Sequence, residues 1–269
     1  MLHKGRALLV AALAGVVACG SGGSVNSATN SRETKDNMTV GRGAESTAIG
    51  AAGTGSTAVG AAGAETTGGA TGVGSIRTPV VLFFGTSLTA GLGLDPEQAY
   101  PSLIEKKAQS EGIPIKVVNA GLSGETTAGA LRRIDWVLRT PTDLVVIEAG
   151  ANDALRGLSP EDARANLEQL IAAVRAKQPL TKIALIQMEA PPNYGVAYTR
   201  SFRAIYGEVA AKEKVALLPF LLDGVAGIPR LNQPDGVHPN LTGERIVADN
   251  VWKALKPEVA KLDRGLKAG

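Results

Sequence analysis

The sequence predicts one α/β domain over residues 77–269, built on a five-stranded, mostly parallel sheet with helices on both faces. Two observations carry this prediction. Composition changes abruptly at residue 77: residues 20–76 hold 14 glycines and no leucine, proline or aromatic residue, whereas residues 77–269 hold 17 glycines in 193 residues and every aromatic of the chain. A stretch without large apolar side chains cannot bury enough surface to offset its ordering entropy, so the core has to lie in the second zone. Within that zone short β-branched runs alternate with longer amphipathic ones, the pattern of parallel strands joined by crossover helices.

The strand candidates, in order, are Val80 to Phe84, Lys116 to Asn119, Leu144 to Glu148, Lys182 to Gln187 and Val215 to Leu218, bounded by Gly, Pro and Asp. The helical candidates between and after them are Glu97 to Glu111, Ala128 to Leu138, Pro160 to Lys177, Tyr198 to Glu213 and Thr242 to Leu255. The clearest is Pro160 to Lys177. Ser159 stands as its N-cap, Pro160 at N1 and Asp162 three residues past the cap, and Leu167, Leu170, Ile171 and Val174 form an apolar stripe at i, i+3, i+4, i+7.

Ahead of the domain, residues 1–18 read as a signal peptide: a basic start at Lys4 and Arg6, then an apolar run from Ala7 to Val17, too short to span a bilayer. Val16-Val17-Ala18-Cys19 resembles a bacterial lipobox, so cleavage before Cys19 and lipidation of that residue are expected, giving attachment to the outer membrane or periplasmic face of a bacterial envelope. Residues 20–76 read as a tether containing a ten-residue near-duplicate, Ser46 to Gly55 and Ser56 to Glu65. Two copies are too few to stack as a solenoid. As a Gly-rich coil its 57 residues give a reach of roughly 40 Å.

The residue counts exclude several chemistries. One Cys and two His supply neither a zinc site nor an intrachain disulfide. The net charge of +3 falls to +1 once residues 1–18 are removed, and no dense Lys/Arg tract exists, so no nucleic-acid partner is expected. Maturation also removes His3 and leaves His238 as the one imidazole.

In a parallel sheet the ligand sits beyond the carboxyl ends of the strands, which directs attention to four loops. After the first strand, Gly85 permits a sharp turn and Ser87 follows at the crevice, although a serine there also suits a helix N-cap. After the second, Gly124 lets a backbone N–H reach a ligand oxygen, but a loop glycine is usually only a turn residue. After the third, Asn152 offers an uncharged amide donor, with an Asx-turn cap as the equal alternative. After the fifth, Asp235-Gly236-Val237-His238-Pro239 puts a carboxylate three residues before the imidazole, a spacing that allows Asp235 to hold His238 with Nε2 free to face Ser87.

GTSL at Gly85 to Leu88, the glycine of LSGET, GAND at Gly150 to Asp153 and DGVH at Asp235 to His238 resemble, in order, the four blocks of the SGNH (GDSL) hydrolases. The segments SLTAGLGL, NAGLSGETT, GANDALRG, PPNYG and DGVHP extend the resemblance to the branch holding the multifunctional esterase, thioesterase and lysophospholipase I, over most of residues 79–256. The resemblance implies a flavodoxin-like three-layer α/β/α fold, with Ser87 as nucleophile, His238 as general base and Asp235 as its orienting acid. It also implies an oxyanion hole from the N–H groups of Ser87 and Gly124 and the side chain of Asn152. The implied activity is hydrolysis of acyl or aryl esters, thioesters or lysophospholipids. A monomer is expected, needing no metal or cofactor and meeting the membrane through the N-terminal lipid read from Val16 to Cys19. One departure stands out: the Asp of the family's first block is Thr86 here, so the hydrogen bonding that fixes the nucleophile turn must differ.

Other readings fit less well. An α/β-hydrolase needs G-x-S-x-G, and position 89 is Thr; a dinucleotide fold needs G-x-G-x-x-G, and position 87 is Ser. A carbohydrate O-acetylesterase on the same residues, and a non-catalytic surface protein acting through its linker repeats, are the two remaining alternatives. The loop Pro191 to Gly195 and the helix after it are candidates for lining an acyl pocket, against the alternative that their apolar residues belong to the core.

Overall fold

A computed structural model describes residues 77–266 of the chain. The expected signal peptide, Cys19 and the tether lie outside the described residues. Five strands form one sheet: β1 Val80–Gly85, β2 Lys116–Gly121, β3 Leu144–Ile147, β4 Lys182–Ile186 and β5 Ala216–Leu218. All neighbours run parallel in the order β2-β1-β3-β4-β5, with Phe83 beside Asn119 on one side and Val146 on the other. Seven helices accompany them: α1 Ser87–Ala90, α2 Tyr100–Ser110, α3 Thr127–Val137, α4 Ala151–Leu155, α5 Pro160–Lys177, α6 Gly195–Glu213 and α7 Leu241–Leu266.

The strand order dictates where the helices lie. Crossovers between parallel strands are right-handed, so the step from β1 to β2 and the opposite steps from β2 to β3, β4 and β5 carry their helices to opposite faces. Accordingly α3 packs on α5 and α5 on α6, while α2 packs on α7. β1, β3 and β4 are almost wholly buried, as strands covered on both sides must be. From α6 the side chains of Phe202, Ile205, Tyr206 and Val209 enter this core, so that inner face is core and not pocket. No helix among the described residues is long and apolar enough to cross a membrane.

Boundaries depart from the sequence pattern for identifiable reasons. The first long helix starts at Tyr100 instead of Glu97, after a 3-10 turn at Pro96–Gln98, because Pro101 lacks an N–H and is accommodated in a first turn. β5 starts one residue late, because the Val215 N–H still closes α6 on Ala210 O at 3.1 Å, with Lys214 left-handed (φ 49°) at the helix end. α7 continues through Pro257, past the expected end at Leu255, because Val259 and Leu262 extend its buried face. The Ser159 cap is present, its Oγ accepting from Asp162 N at 3.1 Å. β3 stops at Ile147, which leaves the buried Glu148 as the first residue beyond it.

Candidate active site

β1 and β3 are neighbours whose following segments leave toward opposite faces, so a crevice opens at their carboxyl ends. Ser87 stands there as the first residue of α1. Thr86, not Ser87, caps this helix, its side chain accepting from Leu88 N, which leaves the serine hydroxyl free. That hydroxyl lies 2.8 Å from His238 Nε2, and His238 Nδ1 lies 2.8 Å from Asp235 Oδ2. Residues 151 apart in sequence thus form one hydrogen-bonded line. A carboxylate can only accept, so Nδ1 carries the proton and Nε2 accepts from Ser87.

The Asp235–His238 segment is the tip of a pinched loop. Gln233 N bonds His238 O at 2.7 Å and Gly236 N bonds Gln233 O at 2.9 Å, while Asn232 and Pro239 form an antiparallel bridge. Asp235 Oδ1 accepts from the N–H groups of Val237 and His238 at 2.9 and 3.0 Å. Desolvation pushes the Asp235 carboxyl up, but those two N–H groups and the His238 ring outweigh it and take it down to about 2. Gln233 also donates to Leu92 O, and Leu92 N to Ser87 O, so the His-bearing loop and the serine turn are laced together.

Gly124 and Asn152 complete the rim. Gly124 has φ +77°, a conformation that disfavours any side chain, and among the described residues nothing accepts from its N–H. Asn152 is not an Asx cap: Gly150 caps α4, and Asn152 Nδ2 instead donates to Glu125 O at 2.9 Å, leaving its second amide hydrogen free. Next to it the buried Asp153 accepts from Thr127 N and Thr127 Oγ1 at 2.9 and 2.6 Å. α4 therefore holds the loop carrying Gly124 at two points. A third is Arg133, which forks onto Glu125, donates to Gly85 O and Ala120 O, and lies 4.2 Å from the Phe84 ring centroid.

Gly85 is required for close approach more than for turning. A Cβ there would stand 2.1 Å from Thr89 Oγ1 and 2.7 Å from Glu148 Oε2. Glu148 is the residue that sequence reasoning missed. It ends an apolar run, which reads as the last position of a strand, yet its buried carboxylate accepts from Thr86 N at 2.7 Å and from the hydroxyls of Thr86 and Thr89. Burial pushes this carboxyl up, and the bonds from Thr86 and Thr89 offset only part of that, leaving it at about 7. Glu244, also buried, is raised to about 8 by desolvation against one bond from Tyr100 N. Asp153, Glu125 and Arg133 were likewise given no role by sequence, since lone charged residues beside a motif look like solvated loop positions.

Tyr194 OH and Tyr198 OH donate to Leu155 O and Leu158 O, bracing the segment after α4 from the direction of α6. Leu92, Leu122, Leu155, Leu158, Tyr194 and Val196 remain exposed on the segments that follow the strands. A cavity of about 370 Å³ opens beside Gly124, bordered by Leu122, Arg132 and Arg156, with Arg156 donating to Gly124 O at 2.9 Å.

Residues 83–246 match the GDSL-like lipase/acylhydrolase family. The chain is 43% identical over 178 residues to esterase TesA of Pseudomonas aeruginosa, covering 66% of this chain and 88% of that one. It is 37% identical over 182 residues to thioesterase 1/protease 1/lysophospholipase L1 of Escherichia coli K12, covering 66% and 84%. The crystal structure of the psychrotrophic esterase EstA from Pseudoalteromonas sp., inhibited by monoethylphosphonate, superposes with a TM-score of 0.64 at 32% identity, covering 68% of this chain and 99% of that one.

The raised carboxyls make stability pH-dependent. Between the ordinary carboxyl range and about pH 7 to 8 the folded protein keeps protons that the unfolded chain has released, so the free energy of unfolding falls as pH rises across that window and levels off above it. Glu148 alone contributes on the order of 3 kcal/mol to the fall. Urea denaturation at pH 5 and pH 8 measures it: a lower midpoint at pH 8 is expected, and a midpoint that rises with pH contradicts the burial of these groups.

Proposed function

Because the chain belongs to the GDSL-like lipase/acylhydrolase family and is an ester hydrolase, we propose that it works through an acyl-enzyme on Ser87, with His238 as general base and Asp235 as its orienting carboxylate. The observation that carries this is the unbroken line from Ser87 Oγ through His238 to Asp235, with both bonds at 2.8 Å. A serine hydroxyl is a weak nucleophile until a base takes its proton, and His238 Nε2 is the group in reach. As Oγ attacks the ester carbonyl, its proton passes to Nε2 and the imidazolium is stabilised by Asp235, whose low affinity for protons keeps it ionised throughout the neutral range.

The tetrahedral oxyanion is received by the N–H groups of Ser87 and Gly124 and the free amide hydrogen of Asn152. Such donors, fixed before the reaction, are each worth about 10²- to 10³-fold in kcat. Collapse expels the alcohol or thiol, which takes the proton back from His238. Water then repeats the sequence on the acyl-enzyme and releases the acid. The exposed Leu122 at the cavity beside Gly124, with the exposed Leu92 and Leu155 on the segments that carry Ser87 and Asn152, supports acyl chains, of esters, thioesters or lysophospholipids, as the apolar part of the substrate.

We also propose that the enzyme is tethered to a bacterial envelope membrane through a lipidated Cys19. The support is the sequence of residues 1–19 and the core-free tether that follows.

Two experiments test these readings. Ser87→Ala should lower kcat for p-nitrophenyl esters by at least about 10⁴-fold, and a chain-length series on the wild type should keep its rate through octanoyl. Full activity in Ser87→Ala removes the serine mechanism, and a rate that peaks at acetyl and vanishes by octanoyl favours a carbohydrate deacetylase instead. For the anchor, metabolic labelling with palmitate in a bacterial host should mark the wild type and not Cys19→Ala; an unlabelled wild-type chain overturns lipidation.

A further inference from the structure

One charged side chain touches the serine turn from behind and takes no part in the proton transfers just described. Glu148 is wholly buried, and its carboxylate meets only donors: the Thr86 N–H at 2.7 Å, the Thr86 hydroxyl at 2.9 and 3.0 Å, and the Thr89 hydroxyl at 2.9 Å. We propose that the ionised Glu148 carboxylate is the positioning residue for Ser87, so that activity requires Glu148, as well as His238, to be unprotonated. This rests on the reading of Ser87 as nucleophile.

The geometry links the two residues directly. Glu148 holds Thr86 by both its N–H and its hydroxyl, which fixes the main-chain turn from which the Ser87 N–H and Oγ project. A carboxylate accepts only, and a shell made only of donors suits it. A protonated carboxyl would have to donate, and the acceptors in reach are the same two threonine hydroxyls. The Thr89 hydroxyl is already shared with Tyr100 OH at 2.9 Å, and Thr86 Oγ1 caps α1 by accepting from Leu88 N. Protonation therefore turns hydroxyls round within the turn that aims the nucleophile. Thr86 supplies the carboxylate with a hydroxyl hydrogen that an ionised aspartate at this position would lack.

The charged and titratable groups around Glu148 give it no direct counter-ion. From α2 comes Tyr100, and beyond it Glu244 of α7, a second acid; from α6 comes Tyr206, whose hydroxyl is spent on Ala149 O. Tyr100 and Tyr206 are each raised, chiefly by burial and in part by the charge of Glu148. From α4, Asp153 adds another negative charge, engaged by Thr127. From α3, Arg133 reaches Gly85 O, but its charge is paired with Glu125. A carboxylate so placed releases its proton close to neutrality.

The test is the pH profile of kcat/KM for a neutral p-nitrophenyl ester, measured on the full chain. With two groups required unprotonated, the wild-type acid limb should approach a slope of 2. In Glu148→Gln the slope should fall to 1, with kcat at least 10-fold lower and KM within about threefold, because the turn and not substrate binding is affected. A folded Glu148→Gln enzyme with wild-type kcat and an unchanged limb overturns the proposal. If that variant does not fold, Thr86→Val decides: it removes one donor from the carboxylate and should move the acid limb to higher pH, and an unmoved limb overturns the proposal. Ser87→Ala run alongside separates the two levels, since activity surviving in that variant removes the serine reading itself.

Discussion

The reversal of strand order at the neighbours β1 and β3, which run parallel, is the constraint on which the site depends. With the strand order β2-β1-β3-β4-β5, the segments leaving these two neighbours diverge, and the polar groups at their carboxyl ends have nothing above them. Every residue assigned to the chemistry stands on a segment that follows a strand: Ser87 after β1, Gly124 after β2, Asn152 after β3 and His238 after β5. Such segments are the part of a fold least fixed by core packing, so the geometry has to be held by other means.

Those means are buried polar ties between neighbouring strand ends. Glu148 joins the end of β3 to the turn after β1; Arg133 joins β1, β2 and Glu125; Asn152 and Asp153 join α4 to the loop that carries Gly124. A further chain runs from Thr89 through Tyr100 to Glu244 on α7, the helix that begins three residues after His238. Three of these ties use carboxyls buried without a cation bonded to them, Glu148, Asp153 and Glu244, and the raised pair, Glu148 and Glu244, costs stability near and above neutral pH. The same arrangement fixes the serine turn before substrate arrives, so the cost falls where preorganisation is needed.

The sequence made the fold class and the candidate site residues legible, for different reasons. Strands such as Val80 to Phe84, between Pro79 and Gly85, are buried on both faces and stand out as short apolar runs, and α5 carries its cap and stripe in plain view. Ser87, Gly124 and Asn152 are visible because they are polar or small residues shortly beyond such runs, whereas His238, 20 residues past β5, is visible as the one imidazole left after maturation with an acid three residues before it. Glu148 was not legible, because a lone acid closing an apolar run looks the same whether it faces solvent or a threonine turn in the interior. Nor was the reason for Gly85: its lack of a side chain serves Thr89 and Glu148, distant in sequence from each other, more than the bend of the chain. The continuation of α7 past Pro257 was hidden because a local helix-breaking rule was outweighed by burial of Val259 and Leu262 against elements far away in the chain.

The central claim is that hydrolysis passes through an ester on Ser87. Acid-quenching the enzyme during turnover of a p-nitrophenyl ester, followed by peptide mass spectrometry, tests it directly. The account predicts an adduct of the acyl mass confined to the peptide that contains Ser87. Product formation with no adduct on Ser87, or with an adduct on another residue, would contradict it.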